Sequence, residues 1–211
     1  IWLPPFPRDE DRPAPGVEKI WDVLFVGQVD AKLTPARHSF LAELGTLTSG
    51  LHVTRGTYRE LVPQARVVLN VAERGDLNFR VFEALACGSC LLTPRVGHGQ
   101  EEMLPAGECL EVYEGGDAAD AAGRIAGLLA APQRREGLAQ AGAARTEAAH
   151  RMRHRAETLA GLLRSPQAAE ARVARLARPV PNHALRAVFL HWAEALGEGE
   201  MRDRYLAAAL R

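Results

Sequence analysis

Arg80 and Glu83 stand three residues apart in the run Phe79–Cys87, where Val81, Phe82, Leu85 and Ala86 recur at helical spacing. Residues three apart share a helix face. A cation and a carboxylate so placed either pair with each other, worth about 0.3–0.5 kcal/mol at a surface, or hold a ligand together. Asn78 or Asp76 is placed to cap this helix. Its first turn then offers unpaired N–H groups and a partial positive charge, which suits a phosphate. Arg80 opposes the helix dipole there, so it calls for an anionic partner. Upstream, Gly27 ends an apolar run, and Arg37 follows Pro35 in the next helix, where its plain reading is a solvated arginine. Downstream lies the glycine loop Arg95–Gln100, with His98 between Gly97 and Gly99 and Glu102 beyond.

Other reactive side chains point to packing. Cys87 and Cys90 match C-x-x-C, but Cys87 falls at a helix C-terminus, where the field disfavours a thiolate. Metal binding needs two more ligands, and Cys109 with a histidine makes a thin set. His150 and His154 have the i, i+4 spacing of a metal pair. Arg151, Arg153 and Arg155 surround them, so the expected role is a solvated basic face or an anion contact.

These residues need a scaffold. Asp22–Gly27 reads as a strand buried on both faces, Pro35–Leu44 as a helix capped by Thr34, and Leu51–Thr54 as a weak strand. Thr57–Gln64 reads as a short helix and Arg66–Val71 as a strand. Cys90–Thr93 and Cys109–Tyr113 are further strands, Asp117–Ala130 a helix capped by Asp117, and Pro132–Leu163 helical. Gly88 sits where a helix-ending glycine belongs. The alternation predicts an α/β domain with a doubly wound parallel sheet. Ligands of such sheets sit at the carboxyl ends of the strands, here the loops after Val26, Val71 and Thr93. The boundaries expected are a proline-rich linker over 1–19, the α/β domain over 20–164, and a helical extension over 165–211. In the extension Pro166, Pro179 and Pro181 interrupt helical pieces. Ala184–Leu196 and Met201–Leu210 form two helices whose Trp192, Leu196–Gly197 and Tyr205 loosely resemble one tetratricopeptide unit.

Composition excludes other classes. The 211 residues carry 26 Lys+Arg and 26 Asp+Glu, so a general polyanion binder is disfavoured and no nucleic-acid partner is expected. With 47% hydrophobic and 25% charged residues the chain is globular. No apolar stretch is long enough to span a membrane, and no basic-then-apolar leader opens the chain. Three cysteines fit a reducing compartment. A cytoplasmic location is expected. The first residue is not Met, which suggests a fragment or a processed chain.

The segment Leu77–Pro94, LNFRVFEALACGSCLLTP, resembles the C-terminal half of GT-B glycosyltransferases of group 1, nearest the spore-maturation CgeB-like type. The resemblance extends through DVLFVGQVDAKLTPARHSFLAEL, TYRELVPQARVVLN, EVYEGGDAADAAGRIAGLLA and AAHRMRHRAETL, and leaves 165–211 unmatched. It implies a Rossmann-like domain binding a nucleoside-diphosphate sugar, and a hexosyltransferase reaction. Glu83 would hydrogen-bond the ribose hydroxyls, and Gly27 would let the backbone approach the diphosphate. Arg37, Arg80 and, more weakly, Lys32 would contact phosphate, with Arg80 offsetting leaving-group charge. Asn78 would stand at the helix N-terminus, and Gly97 and His98 beside the base and sugar. No metal or other cofactor is expected.

Two departures accompany it. Retaining relatives carry a carboxylate eight residues before the ribose glutamate, and here that position is Gly75, with Glu73 and Asp76 nearby. The acceptor-binding N-terminal domain of such enzymes is not within these residues, so the chain alone is expected to bind donor rather than turn over. The acceptor (glycan, lipid or protein) is open. The competing reading is a degenerate, non-catalytic module that contacts a protein through 165–211. A flavodoxin-like nucleotide binder shares the fold but lacks a recognisable G-x-G-x-x-G.

Overall fold

The computed structural model describes residues 2–176, 182–196 and 198–210. The expected breaks at Pro179 and Pro181, and Gly197, lie outside them. The chain divides into two compact units, Ile1–Thr158 and Leu159–Arg211.

The first unit is built on five parallel strands: β1 (Trp21–Val26), β2 (Leu51–Thr54), β3 (Ala65–Leu69), β4 (Leu91–Pro94) and β5 (Glu111–Tyr113), in the order β2-β1-β3-β4-β5. All four pairings are parallel, with Val23 opposite Leu51 on one side of β1 and Val67 on the other. Strand residues alternate between two cores. Val23, Phe25, Val67, Leu69, Leu92 and Tyr113 face α1 (Pro35–Leu47), with α5 (Ala118–Ala130) on the same side. Leu24, Val26, Val68, Leu91 and Val112 face α3 (Phe79–Ala86) and the short α2 (Tyr58–Leu61), which continues as one 3-10 turn, Val62–Gln64. This is the doubly wound, Rossmann-like α/β arrangement expected. The chain reverses its direction across the sheet between β1 and β3, which opens a crevice at their carboxyl ends.

Local chemistry explains most boundaries. Asp117 caps α5, its side chain accepting from the Asp120 amide at 2.9 Å. Gly88 follows α3 at φ 70°, a left-handed conformation glycine adopts without strain. Thr34 occupies the N-cap of α1 without capping it, because its hydroxyl bonds Asp30 instead. Two features differ from expectation. The glycine loop contains a short helix, α4 (Gln100–Met103). The long C-terminal helix is broken at His150–Arg151 into α6 (Pro132–Ala149) and α7 (Met152–Arg164). Gly142 brings α6 against α3 and the sheet: a Cβ there would lie 2.6 Å from the Cys109 carbonyl and 2.6 Å from Leu85.

The helical unit holds the end of α7, then α8 (Pro166–Leu176), α9 (Asn182–Ala195) and α10 (Glu200–Ala209). Helices α9 and α10 pack together, with Ala193 and Ala209 buried and Phe189 6.1 Å from Tyr205. No strand follows β5 among the described residues.

Candidate functional site

Buried polar side chains brace the carboxyl ends of the strands. Asn70, which follows β3, donates to the Thr93 hydroxyl of β4 at 3.0 Å, and its carbonyl accepts from the Tyr113 hydroxyl of β5 at 2.9 Å. Burial pushes the Tyr113 hydroxyl's pKa up, so it stays a neutral donor. Asn78 stands at the N-cap of α3, yet its side chain makes no cap. Its amide donates to Asn70 Oδ1 at 3.3 Å, and its own Oδ1 is buried without a partner.

Against this frame Gly27, Arg37 and Arg80 come together. Gly27 leaves β1 with its amide bonded to the Thr54 carbonyl at 2.9 Å. A Cβ on Gly27 would sit 3.2 Å from an Arg80 guanidinium nitrogen and 3.1 Å from the Phe25 ring. The Arg37 guanidinium lies 5.7 Å from that ring's centre. Arg37 is 7% exposed, which overturns the reading of it as a solvated arginine: Pro35 starts α1, and the third residue of the helix turns inward. Its Nη1 donates to the Gln28 carbonyl at 2.9 Å, Glu73 accepts from its backbone amide at 3.0 Å, and its buried Nε has no hydrogen-bond partner but lies 3.9 Å from the Glu73 carboxylate. Burial first, and the neighbouring Arg80 second, lower the Arg37 pKa. Among the described residues the Arg80 guanidinium makes no ion pair. It does not pair with Glu83, despite their spacing.

Two openings lie at this end of the molecule, one of them lined by Arg37 and neither by Arg80. A cavity of about 260 Å³ lies between Arg37 and Phe40 of α1, Val71–Glu73 and Gly75 after β3, Pro94–Val96 at the end of β4, and Tyr113 and Gly115–Gly116 at the end of β5. Gln100 fixes its rim, accepting from the Val96 amide at 2.8 Å and donating to the Pro94 carbonyl at 3.3 Å. A polar cleft of about 230 Å³ is lined by Glu83, Thr57, Tyr58, Arg59, Arg8 and Asp11. Burial and then Asp11 raise the Glu83 carboxyl's pKa.

The remaining candidates are placed apart. Gly97 faces open space. His98 is exposed at φ 61°, its ring 6.3 Å from that of Trp2, and touches neither opening. Lys32 is exposed, and Glu102 lies at the surface beside Gly99. Gly75 at the cavity rim brings no carboxylate, and Glu73 is engaged with Arg37.

His150 is a correction. It is 5% exposed rather than solvated, 5.5 Å from the Phe82 ring, and accepts from Arg155 at 3.0 Å. Burial and Arg155 lower its pKa to about 4, so it is neutral and serves packing. His154 is half-buried, accepting from the Arg151 amide at 3.0 Å. All three cysteines are free and buried, and burial pushes Cys87 and Cys90 up to about 12. Among the described residues no three His, Cys, Asp or Glu side chains are grouped to hold a metal. No helix of the described residues is long and apolar enough to cross a membrane.

Sequence reasoning missed Asp11, Arg8, Tyr58 and Arg59. Their signal was weak, since a charge run in a proline-rich segment reads as linker.

Residues 23–161 match the model of a family described as glycosyl transferase-like. Among curated protein sequences none matches. Solved structures share the fold. TarM of S. aureus superposes with a TM-score of 0.57 at 9% identity, over 74% of this chain and 38% of that one. Anabaena HepE, in complex with UDP and glucose, gives 0.56 at 13% identity, over 68% and 48%. Sucrose-phosphate synthase of Thermosynechococcus elongatus gives 0.54 at 23% identity, over 69% and 38%. The chain thus spans less than half the length of each of these structures.

Proposed function

Since the chain belongs to the glycosyl transferase-like family, we propose that its Ile1–Thr158 unit is a donor-binding domain, the C-terminal half of a GT-B enzyme of group 1, CgeB-like type. It takes a nucleoside-diphosphate sugar for transfer to an acceptor hydroxyl. The observation that carries this is the Arg37–Arg80 pair at the switch point of the sheet. Two guanidinium groups flank Gly27 and Phe25, and Arg80 has no carboxylate partner among the described residues. Glu73, 3.9 Å from the Arg37 Nε, answers one of the two charges, and an anion ligand would answer the other.

In this reading the diphosphate lies beside Gly27, whose missing side chain lets the Arg80 guanidinium approach the backbone, and takes hydrogen bonds from Arg37 and Arg80. Glu83, one turn along α3, accepts from the ribose. In transfer the bond from the sugar's anomeric carbon to the diphosphate oxygen breaks as the acceptor oxygen bonds that carbon. The arginines offset the charge gained by the leaving diphosphate, and no metal is assigned a part. Asn78 keeps the N-terminus of α3 braced to Asn70, and Gly97 and His98, which line neither opening, are assigned no contact with the donor. HepE structures hold UDP with glucose, or UDP-glucose, which supports a hexose donor.

Titration calorimetry with UDP, GDP, ADP, CDP and TDP tests the reading. Saturable binding of one nucleotide, weakened about 10–100-fold in Arg80→Ala, is expected for loss of a charged hydrogen bond. A folded protein that binds none of the five at millimolar concentration contradicts it. A second reading, protein capture through the helical unit, is favoured by exposed Leu163, Val173, Trp192 and Leu196. Unchanged partner capture after deletion of 165–211 would count against it.

A further inference from the structure

The proline-rich N-terminal segment is built into the Glu83 cleft. The Arg151 guanidinium, 2% exposed, donates to the Arg8 carbonyl at 2.8 Å and to Glu147 at 2.8 Å. Arg155 donates to the carbonyls of Pro4 at 3.1 Å and Pro5 at 3.3 Å. These bonds fix a turn in which Asp11 Oδ2 accepts the Arg8 amide at 2.8 Å and the Asp11 amide donates back to the Arg8 carbonyl at 3.2 Å. The turn delivers Asp11, 5% exposed, to the wall of the cleft that Glu83 also lines.

Both carboxylates keep free acceptors there. Among the described residues Asp11 Oδ1 and both Glu83 oxygens accept no hydrogen bond from the protein, and both side chains line the open cleft. Two acids held in one cleft repel each other. A ligand bringing two adjacent hydroxyl donors would bond both and offset that repulsion. Arg8 and Arg59, on the same walls, moderate the negative charge.

We propose that Asp11 joins Glu83 in accepting the 2′ and 3′ hydroxyls of the donor's ribose, so that the N-terminal segment is part of the nucleoside site. This rests on the donor site proposed above. It makes the pocket selective for ribose over deoxyribose, and it makes Arg151, which touches no ligand, the positioning residue for Asp11.

The test uses the full chain with ribonucleoside diphosphates (UDP, GDP, ADP, CDP) and their 2′-deoxy forms. Asp11→Asn keeps an oxygen for the Arg8 amide, and Glu83→Gln removes the other charge. The nucleotide that binds is expected to bind about tenfold or more weakly as its 2′-deoxy form, and about tenfold or more weakly in each variant. In one of the two variants the ribose-to-deoxyribose ratio falls to near one, because the carboxylate facing the 2′ hydroxyl is gone. Wild-type protein that binds both sugar forms equally overturns the proposal without needing any variant to fold. Glu83→Gln that weakens binding while Asp11→Asn binds like wild type also overturns it, and leaves the donor site standing. Wild type that binds no nucleotide overturns the donor site, and this inference with it.

Discussion

Two groups of arginines in the first unit are held in opposite ways. Arg155 spends all three guanidinium nitrogens, on the carbonyls of Pro4, Pro5 and Ala149 and on His150. Arg151 is shared between Glu147 and the Arg8 carbonyl. At the crest of the sheet Arg37 keeps a buried Nε without a hydrogen-bond partner, 3.9 Å from Glu73, and Arg80 lies beside it with no acid of its own. The first group closes its hydrogen bonds within the protein and fastens the N-terminal segment. The second leaves donors open where the strand order reverses. Arginine count alone does not mark a binding site; the unspent donors do.

The largest expected effect falls on the closed group. Arg151→Ala leaves the Arg8 carbonyl without its donor, and Glu147 keeps Arg12 and Arg153. Losing a charged hydrogen bond at a buried site costs about 1.5–3 kcal/mol. Urea unfolding should show the loss, and an unchanged midpoint would break the contrast. Next, Gly142→Val presses side-chain atoms on the Cys109 carbonyl and Leu85. It should cost about 1–3 kcal/mol without touching either arginine group. Arg80→Ala is expected to do the reverse of Arg151→Ala, leaving the unfolding midpoint within about 0.5 kcal/mol, as for a side chain with no partner to lose.

Acid sharpens the contrast further. His150, beside Arg155, has its folded pKa lowered to about 4 from an ordinary 6.5. As pH falls the unfolded chain takes up that proton first, so stability is full above about 6.5 and declines between 6.5 and 4. Glu147 is held near 2 by hydrogen bonds from Arg153 and Arg151. Its contribution is present above 4.5, declines below that, and is gone as pH falls through about 2. His150→Phe should flatten the upper window and spare the lower one. A variant that keeps the slope between pH 4 and 6.5 would show that another group produces it. The smallest effect is on thiols. Cys87 and Cys90 should stay unreactive to a disulfide reagent near neutral pH until the protein unfolds, because burial keeps them protonated.

The sheet was legible because its strands write the pattern locally. Val23–Val26 alternates between two cores, and Gly88 and Asp117 act on their nearest neighbours. Glu83 and Arg80 stood out through helical spacing and resemblance. What escaped depends on contacts across the chain. Asp11 meets Glu83 only because Arg151 and Arg155 hold the segment before it. The His150–Arg151 break, hidden in a helical pattern, is what turns those arginines toward it. Asn78 had the composition of a cap but gave its amide to Asn70, a choice set by the sheet and not by its neighbours in sequence.

The central claim is that Arg80 is kept for a ligand and not for the fold. Calorimetric titration of the nucleoside diphosphates into wild type and Arg80→Ala, with a urea melt of each, tests it most directly. The account predicts at least about a tenfold loss of affinity with an unchanged melt. Binding equal to wild type, or a variant that unfolds several kcal/mol more easily, would contradict it.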